Sequence, residues 1–197
     1  TGNVPIVCDM SSCILSEPYN VADYGIIFAG AQKNIGPAGV TIVIIRKDLM
    51  ERAGRNLPAM LDFRTHADSE SLFNTPPTYA VYIAKMIFEW LDNMGGVEAM
   101  HKINLEKSGL LYDFIDNSLM FKGNVQKNSR SIMNVTFSTG SKELDDKFVK
   151  DAAKNGLVSL AGHKTAGGMR ASIYNAMPVE GVKALVEFMK KFESENR

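Results

Sequence analysis

Apolar residues follow two rhythms along this chain, and the change of rhythm divides it. Residues 4–10 form a short apolar run predicted as a strand, and residues 11–20 a polar loop broken at Pro18. Residues 24–29 (Tyr-Gly-Ile-Ile-Phe-Ala) predict a second buried strand, residues 30–39 a loop of small residues, and residues 40–45 (Val-Thr-Ile-Val-Ile-Ile) a central strand. Apolar runs of this kind belong to α/β sheets covered on both faces. Residues 48–54 read as a short helix, while residues 55–77 show neither period and end in Asn74-Thr75-Pro76-Pro77. Residues 79–93 carry Val81, Ile83, Ala84, Ile87, Phe88 and Leu91 at helical spacing. Gly95-Gly96 then stops that helix and marks a domain boundary, giving domains at residues 1–94 and 95–197. The second begins with a long helix over residues 97–117. Its remaining pattern is strand (131–138), helix (143–155), short strand (158–160), strand (169–174) and helix (179–195), a small α+β module. No repeat or low-complexity segment is visible, and Lys190 to Glu195 reads as a solvated helix end.

Composition excludes more than it assigns. Lysine plus arginine and aspartate plus glutamate each number 22, so no global field draws nucleic acid or an anionic membrane, and any anion must be caught locally. No apolar run approaches a membrane span and no secretory leader is recognisable. Cys8 and Cys13 are too few for a disulfide framework or a four-ligand zinc site, so no metal is expected and a reducing cytoplasm is the expected setting. The chain opens at Thr1 with a strand almost at once, which reads as a fragment or processed product with preceding strands and helices missing.

Two residues carry the first chemical signal. Asp9 ends a strand, where α/β sheets place ligands. A buried carboxylate there needs a cationic partner, and a protonated pyridine nitrogen is one such partner. Taken alone, a cap on the next loop or a pair with an arginine accounts for Asp9 better. Lys33 lies in Gly30-Ala31-Gln32-Lys33-Asn34-Ile35-Gly36, small residues that let a planar ligand approach the backbone. A lysine amine can condense with an aldehyde cofactor. A phosphate-cradling P-loop fails, because its lysine follows the second glycine and Lys33 precedes Gly36. On spacing alone, an ordinary exposed loop lysine stays open.

Four blocks then match a known family in order: Cys8-Asp9-Met10-Ser11-Ser12, Ala29 to Gly36, Phe73-Asn74-Thr75-Pro76-Pro77, and Gly167-Gly168-Met169-Arg170 through Ala176. The chain closely resembles the phosphoserine aminotransferases, class-V, fold-type-I pyridoxal phosphate enzymes. The resemblance implies the remainder of a fold-type-I large domain followed by a small C-terminal α+β domain. It implies pyridoxal 5'-phosphate as cofactor, carried by Lys33, which also shuttles the proton between substrate and cofactor carbons. It further implies that Asp9 keeps the pyridine nitrogen protonated and that Gln32 contacts the ring hydroxyl or phosphate region. Asn74 and Thr75 would reach the neighbouring subunit's cofactor phosphate in a homodimer. Arg170 would grip the substrate α-carboxylate through its planar fork, and His163 and Lys164 would bind the substrate phosphate. The family has arginine at the Lys164 position, so charge is kept and bidentate geometry lost.

The implied reaction is amino transfer between glutamate and 3-phosphohydroxypyruvate, in serine biosynthesis, with a phosphorylated hydroxythreonine of vitamin B6 synthesis as a further substrate. A desulfurase or lyase on the same fold fits poorly, since a desulfurase needs a mobile reactive cysteine on a later loop. A catalytically inert folding or association module is the alternative of another class, and the 197 residues alone are expected to be inactive. Without the resemblance, Asn74-Thr75 reads as a turn capping the next helix, and Arg170 as a structural ion pair. His66 and His101 read as surface histidines, and Tyr174 and the methionines as packing.

Overall fold

The computed structural model describes residues 2–52, 56–165 and 167–197. The chain forms two compact units, Thr1–Val97 and Glu98–Arg197.

In the first unit, β1 (Val7–Asp9) pairs in parallel with β2 (Ile26–Gly30), and β2 pairs antiparallel with β3 (Thr41–Ile45). β2 is the middle strand, and its alternation puts Ile27 and Ala29 into a core with Met10, Ile14, Ala31, Ile35 and Ala84. The expected central strand at residues 40–45 is thus an edge strand of this three-stranded sheet, with Val43 and Ile44 exposed. A β-branched run encodes fitness for a pleated surface, not rank within a sheet. β1 is the other edge, so it is largely exposed rather than buried, and Asp9 with it.

Helix α1 (Lys47–Glu51) is shorter than the expected 48–54, whose last two residues lie outside the described ones. Where neither period was visible, the chain forms a 3-10 turn (Ala59–Leu61) and α2 (Phe63–Asp68), capped by the Asp62 side chain on Arg64 N–H. Helix α3 (Thr78–Asn93) buries Ala80, Ala84 and Leu91, but Val81 and Phe88 face outward with Tyr79 and Tyr82. Gly95 and Gly96 both hold positive φ, 100° and 75°, a backbone that other residues rarely adopt and that ends the helix.

The second unit runs α4 (Gly96–Asn117), β4 (Lys122–Gly123), β5 (Asn134–Ser138), α5 (Lys142–Lys154), β6 (Met169–Ser172) and α6 (Val179–Glu195). Its sheet is antiparallel in the order β4-β5-β6. Ser141 caps α5 by accepting from Leu144 N–H. One face of the sheet packs Val135, Phe137, Met169 and Ala171 against the helices. Phe121, Phe137, Phe148 and Phe192 meet there in mostly edge-to-face pairs, with centroids 5.1–6.3 Å apart. Glu193 is buried and accepts from Ser118 Oγ, Leu119 N–H and Met120 N–H, fastening α6 to the end of α4.

Two local differences from expectation have physical causes. The strand expected at residues 158–160 is absent, because Ser159 holds φ 63° and breaks the extended run; a single bridge, Ala161 to Met169, remains. β4 was not foreseen, its two residues being Lys and Gly, both poor strand formers that pair through backbone alone. The buried methionines (Met100, Met133, Met169, Met189) do pack the core, whereas His66 and His101 are half-buried. His66 Nε2 lies 3.1 Å from Met60 O.

Candidate active site

The candidate residues fall into two sets, one in each unit. In the first, parallel pairing of β1 with β2 brings Asp9 and Gly30 to the same end of the sheet. Ser11 joins them: its N–H donates to Asp9 Oδ1 at 2.9 Å, and its hydroxyl accepts from Gly30 N–H at 3.0 Å. Hydrogen bonds from Ser11 hold the Asp9 carboxyl below the usual carboxylate range, with the nearby Lys33 charge adding to the effect. The expected buried carboxylate is therefore a solvent-facing one, kept ionised by local donors.

The Lys33 loop is built from within. Ala31 N–H donates to Val40 O, Ile35 and Gly36 N–H both donate to Ala31 O, and Asn34 Nδ2 reaches Ile14 O. Ala31 and Ile35 are fully buried, so this helical turn points Gln32 and Lys33 outward. Lys33 makes no hydrogen bond or ion pair among the described residues. Gln32 folds back over Gly30, where an added Cβ would come within 2.7 Å of its Oε1. Asn74 and Thr75 are exposed, and Asn74 Nδ2 bonds only weakly to Thr75 O at 3.3 Å. Neither caps α3, whose N-cap residue is Pro77 with no side-chain cap.

In the second unit, His163, Lys164 and Arg170 line one groove of about 1050 Å³, together with Thr136, Ser138 and Lys142. The loop carrying the first two closes tightly: Gly162 N–H donates to Gly168 O and Gly167 N–H to His163 O, each at 2.9 Å. A Cβ on Gly162 would stand 2.1 Å from Gly167 O, so the closure requires glycine. Thr165 N–H donates to His163 Nδ1 at 3.3 Å, and Lys164 is exposed. Arg170 sits opposite Thr136 on β6, and its N–H donates to Leu160 O. Its guanidinium makes no hydrogen bond or ion pair among the described residues, and Nε is buried without a partner. A structural ion pair would have satisfied it. An unmet buried donor costs about 1–3 kcal/mol, so this side chain is suited to an anionic ligand.

A sequence model of the family described as Aminotransferase class-V matches residues 2–185. The chain belongs to the class-V aminotransferases. It is 54% identical over 197 residues to a phosphoserine aminotransferase of Streptococcus agalactiae, covering all of this chain and 54% of that one. Among solved structures, the phosphoserine aminotransferase of Bacillus circulans subsp. alkalophilus superposes with a TM-score of 0.96 at 45% identity, covering 100% of this chain and 55% of that one. A PLP-bound phosphoserine aminotransferase from Trichomonas vaginalis gives 0.91 at 41% identity, covering 96% and 55%. The chain spans about half the length of the curated relatives it matches.

For a class-V aminotransferase chain, two residues at these sites escaped sequence reasoning. Ser11 works through its backbone N–H and its hydroxyl, and its signal was its place in the Cys8–Ser12 block. Thr136 opposes Arg170 only through strand register, which the sequence does not display.

Proposed function

We propose that the whole protein is a pyridoxal-phosphate-dependent transaminase. It exchanges an amino group between glutamate and 3-phosphohydroxypyruvate, giving O-phosphoserine and 2-oxoglutarate in cytoplasmic serine biosynthesis. Phosphohydroxythreonine presents the same phosphate and α-amino acid groups and is a second substrate on this reading. The observation that carries it is Lys33, outward-facing and unpaired among the described residues, near an ionised Asp9 at the ends of two parallel strands. The names of the relatives at 54% identity support the substrate class.

These residues fit the cofactor: a lone amine, a carboxylate and a glycine-backed amide lie on one loop-and-strand-end platform. Bound pyridoxal phosphate supplies an electron sink for the carbanion at the substrate Cα. Lys33 Nζ would hold the cofactor through its aldehyde carbon and would move the proton at the substrate Cα. Asp9 would hold a proton on the ring nitrogen, and Gln32 would orient the ring. Arg170 binds the α-carboxylate shared by both amino acids, while His163 and Lys164 bind the phosphate. Residues 1–94 belong on this reading to the large cofactor-binding domain and residues 95–197 to the small domain. A homodimer is supported by the exposed, non-capping Asn74 and Thr75 next to the apolar outer face of α3. Among the described residues no helix is long and apolar enough to cross a membrane.

Borohydride reduction of the full-length holoenzyme, followed by peptide mapping, is expected to find the pyridoxyl group on Lys33. A pyridoxyl group on any other lysine overturns the assignment.

A further inference from the structure

Lys107 is a fully buried lysine with no carboxylate partner among the described residues. It lies on α4, and its Nζ donates to three backbone carbonyls: Ile173 O at 3.1 Å, Tyr174 O at 2.9 Å and Met177 O at 3.1 Å. One helical turn earlier, Asn104 Nδ2 donates to Asn175 Oδ1 at 2.9 Å. Both side chains therefore grip the segment that leaves β6, beginning three residues after Arg170. Burying an ammonium costs several kcal/mol unless every proton is matched. Here three donors meet three acceptors, which fixes the turn in one geometry.

The grip matters because of where β6 lies. It is an edge strand; β5 holds one side, and on the other, among the described residues, stand the Arg170 N–H to Leu160 O bond and the Ala161–Met169 bridge. The named strand ends at Ser172, one more backbone bond in the same register follows (Ile173 N–H to Met133 O), and past it the segment is held by the Lys107 and Asn104 side chains. A loosened turn at residues 173–177 would let the strand end rotate and carry the Arg170 fork with it.

We propose that Lys107 is a positioning residue for Arg170: by clasping the Ile173, Tyr174 and Met177 carbonyls it fixes the end of β6 and the aim of the guanidinium. The proposal rests on the reading of Arg170 as the carboxylate ligand. Misalignment of about 1 Å at a reacting group can cost a hundredfold, and a one-strand shift of a binding group is expected to cost on the order of tenfold.

The test is a double-mutant cycle in the full-length holoenzyme: Lys107→Met, Arg170→Lys and both together. Glutamate KM and kcat, folded fraction and cofactor absorbance are measured for each. Lys107→Met is expected to raise glutamate KM on the order of tenfold with cofactor absorbance unchanged, and to add little in the Arg170→Lys background. A normal KM in the folded fraction, or full additivity, overturns the positioning role, since a merely structural residue lowers the amount of folded enzyme. If Arg170→Lys itself leaves KM unchanged, the carboxylate reading fails instead. Should Lys107→Met not fold, Asn104→Ala loosens the same turn and must show the same non-additivity with Arg170→Lys.

Discussion

The two units, nearly equal in length, complete their cores in opposite ways. In residues 98–197 the sheet closes against its helices over four phenylalanines, and large apolar side chains left outside are scattered. In residues 1–97 the buried cluster is made largely of alanine and isoleucine, while Val7, Leu61, Tyr79 and Tyr82 are more than half exposed (59%, 67%, 73% and 57%). Large apolar side chains left this exposed gain by being covered. The groove lined by His163, Lys164 and Arg170 therefore stands on a self-contained scaffold, whereas the Lys33 loop stands on one that gains by being covered.

The contrast breaks first at Phe148, which is fully buried and touches Phe121, Phe137, Phe188 and Phe192. Phe148→Ala is expected to cost about 3–5 kcal/mol in the second unit. Hydrogen exchange should show lost protection at β5 and β6 amides with β2 amides unchanged; equal loss in both would mean that the units do not keep separate cores.

A smaller effect sharpens the comparison through pH. Arg130 pairs bidentately with Asp116 at 2.9 and 2.5 Å and lies over the Tyr112 ring, and Lys127 approaches the same carboxylate. Hydrogen bonding from Arg130, then from Lys127, pulls the Asp116 carboxyl from 3.8 to about 2. The folded state thus releases this proton more readily than the unfolded chain. The stabilisation is complete above about pH 4 and is lost as pH falls to about 2. It amounts to at most about 2 kcal/mol, and nearer 1 with solvent screening. Asp116→Asn is expected to flatten that acid limb in urea titrations of the second unit. An unchanged limb would assign acid sensitivity elsewhere.

The least effect is expected at the surface of the first unit. Tyr82→Ser should change stability by less than about 0.5 kcal/mol, yet weaken self-association in sedimentation equilibrium. Unaltered association would show that the outer face of α3 is not where copies meet.

Long periodic segments were legible in the sequence: the bounds of α3, α5 and α6 differ from expectation by a residue at most. What stayed hidden depends on contacts rather than on residue type. The rank of residues 40–45 in the sheet is set by pairing partners, and the fate of residues 158–160 by one left-handed serine. At the site, Lys33 stood out because lysine is rare among glycines and alanines. The exposure of Asp9 and the role of Ser11 did not, because the first follows from β1 lying at an edge of this three-stranded sheet and the second from how two strand ends meet. Lys107 looked like any helix lysine, and nothing local announces that three carbonyls await it.

The anchoring of the Lys33 turn by Ala31 and Ile35 has a consequence for how such a site changes. The two buried residues act as a fulcrum and the two exposed ones as the arm. Exchanging Gln32 or Lys33 alters chemistry with little strain, so the tip can be retuned one residue at a time. Enlarging Ala31 by a single methylene would instead press on a fully packed neighbourhood and tilt the whole arm. Drift at this loop is therefore asymmetric: packing constrains Ala31 and Ile35, whereas only chemistry constrains Gln32 and Lys33.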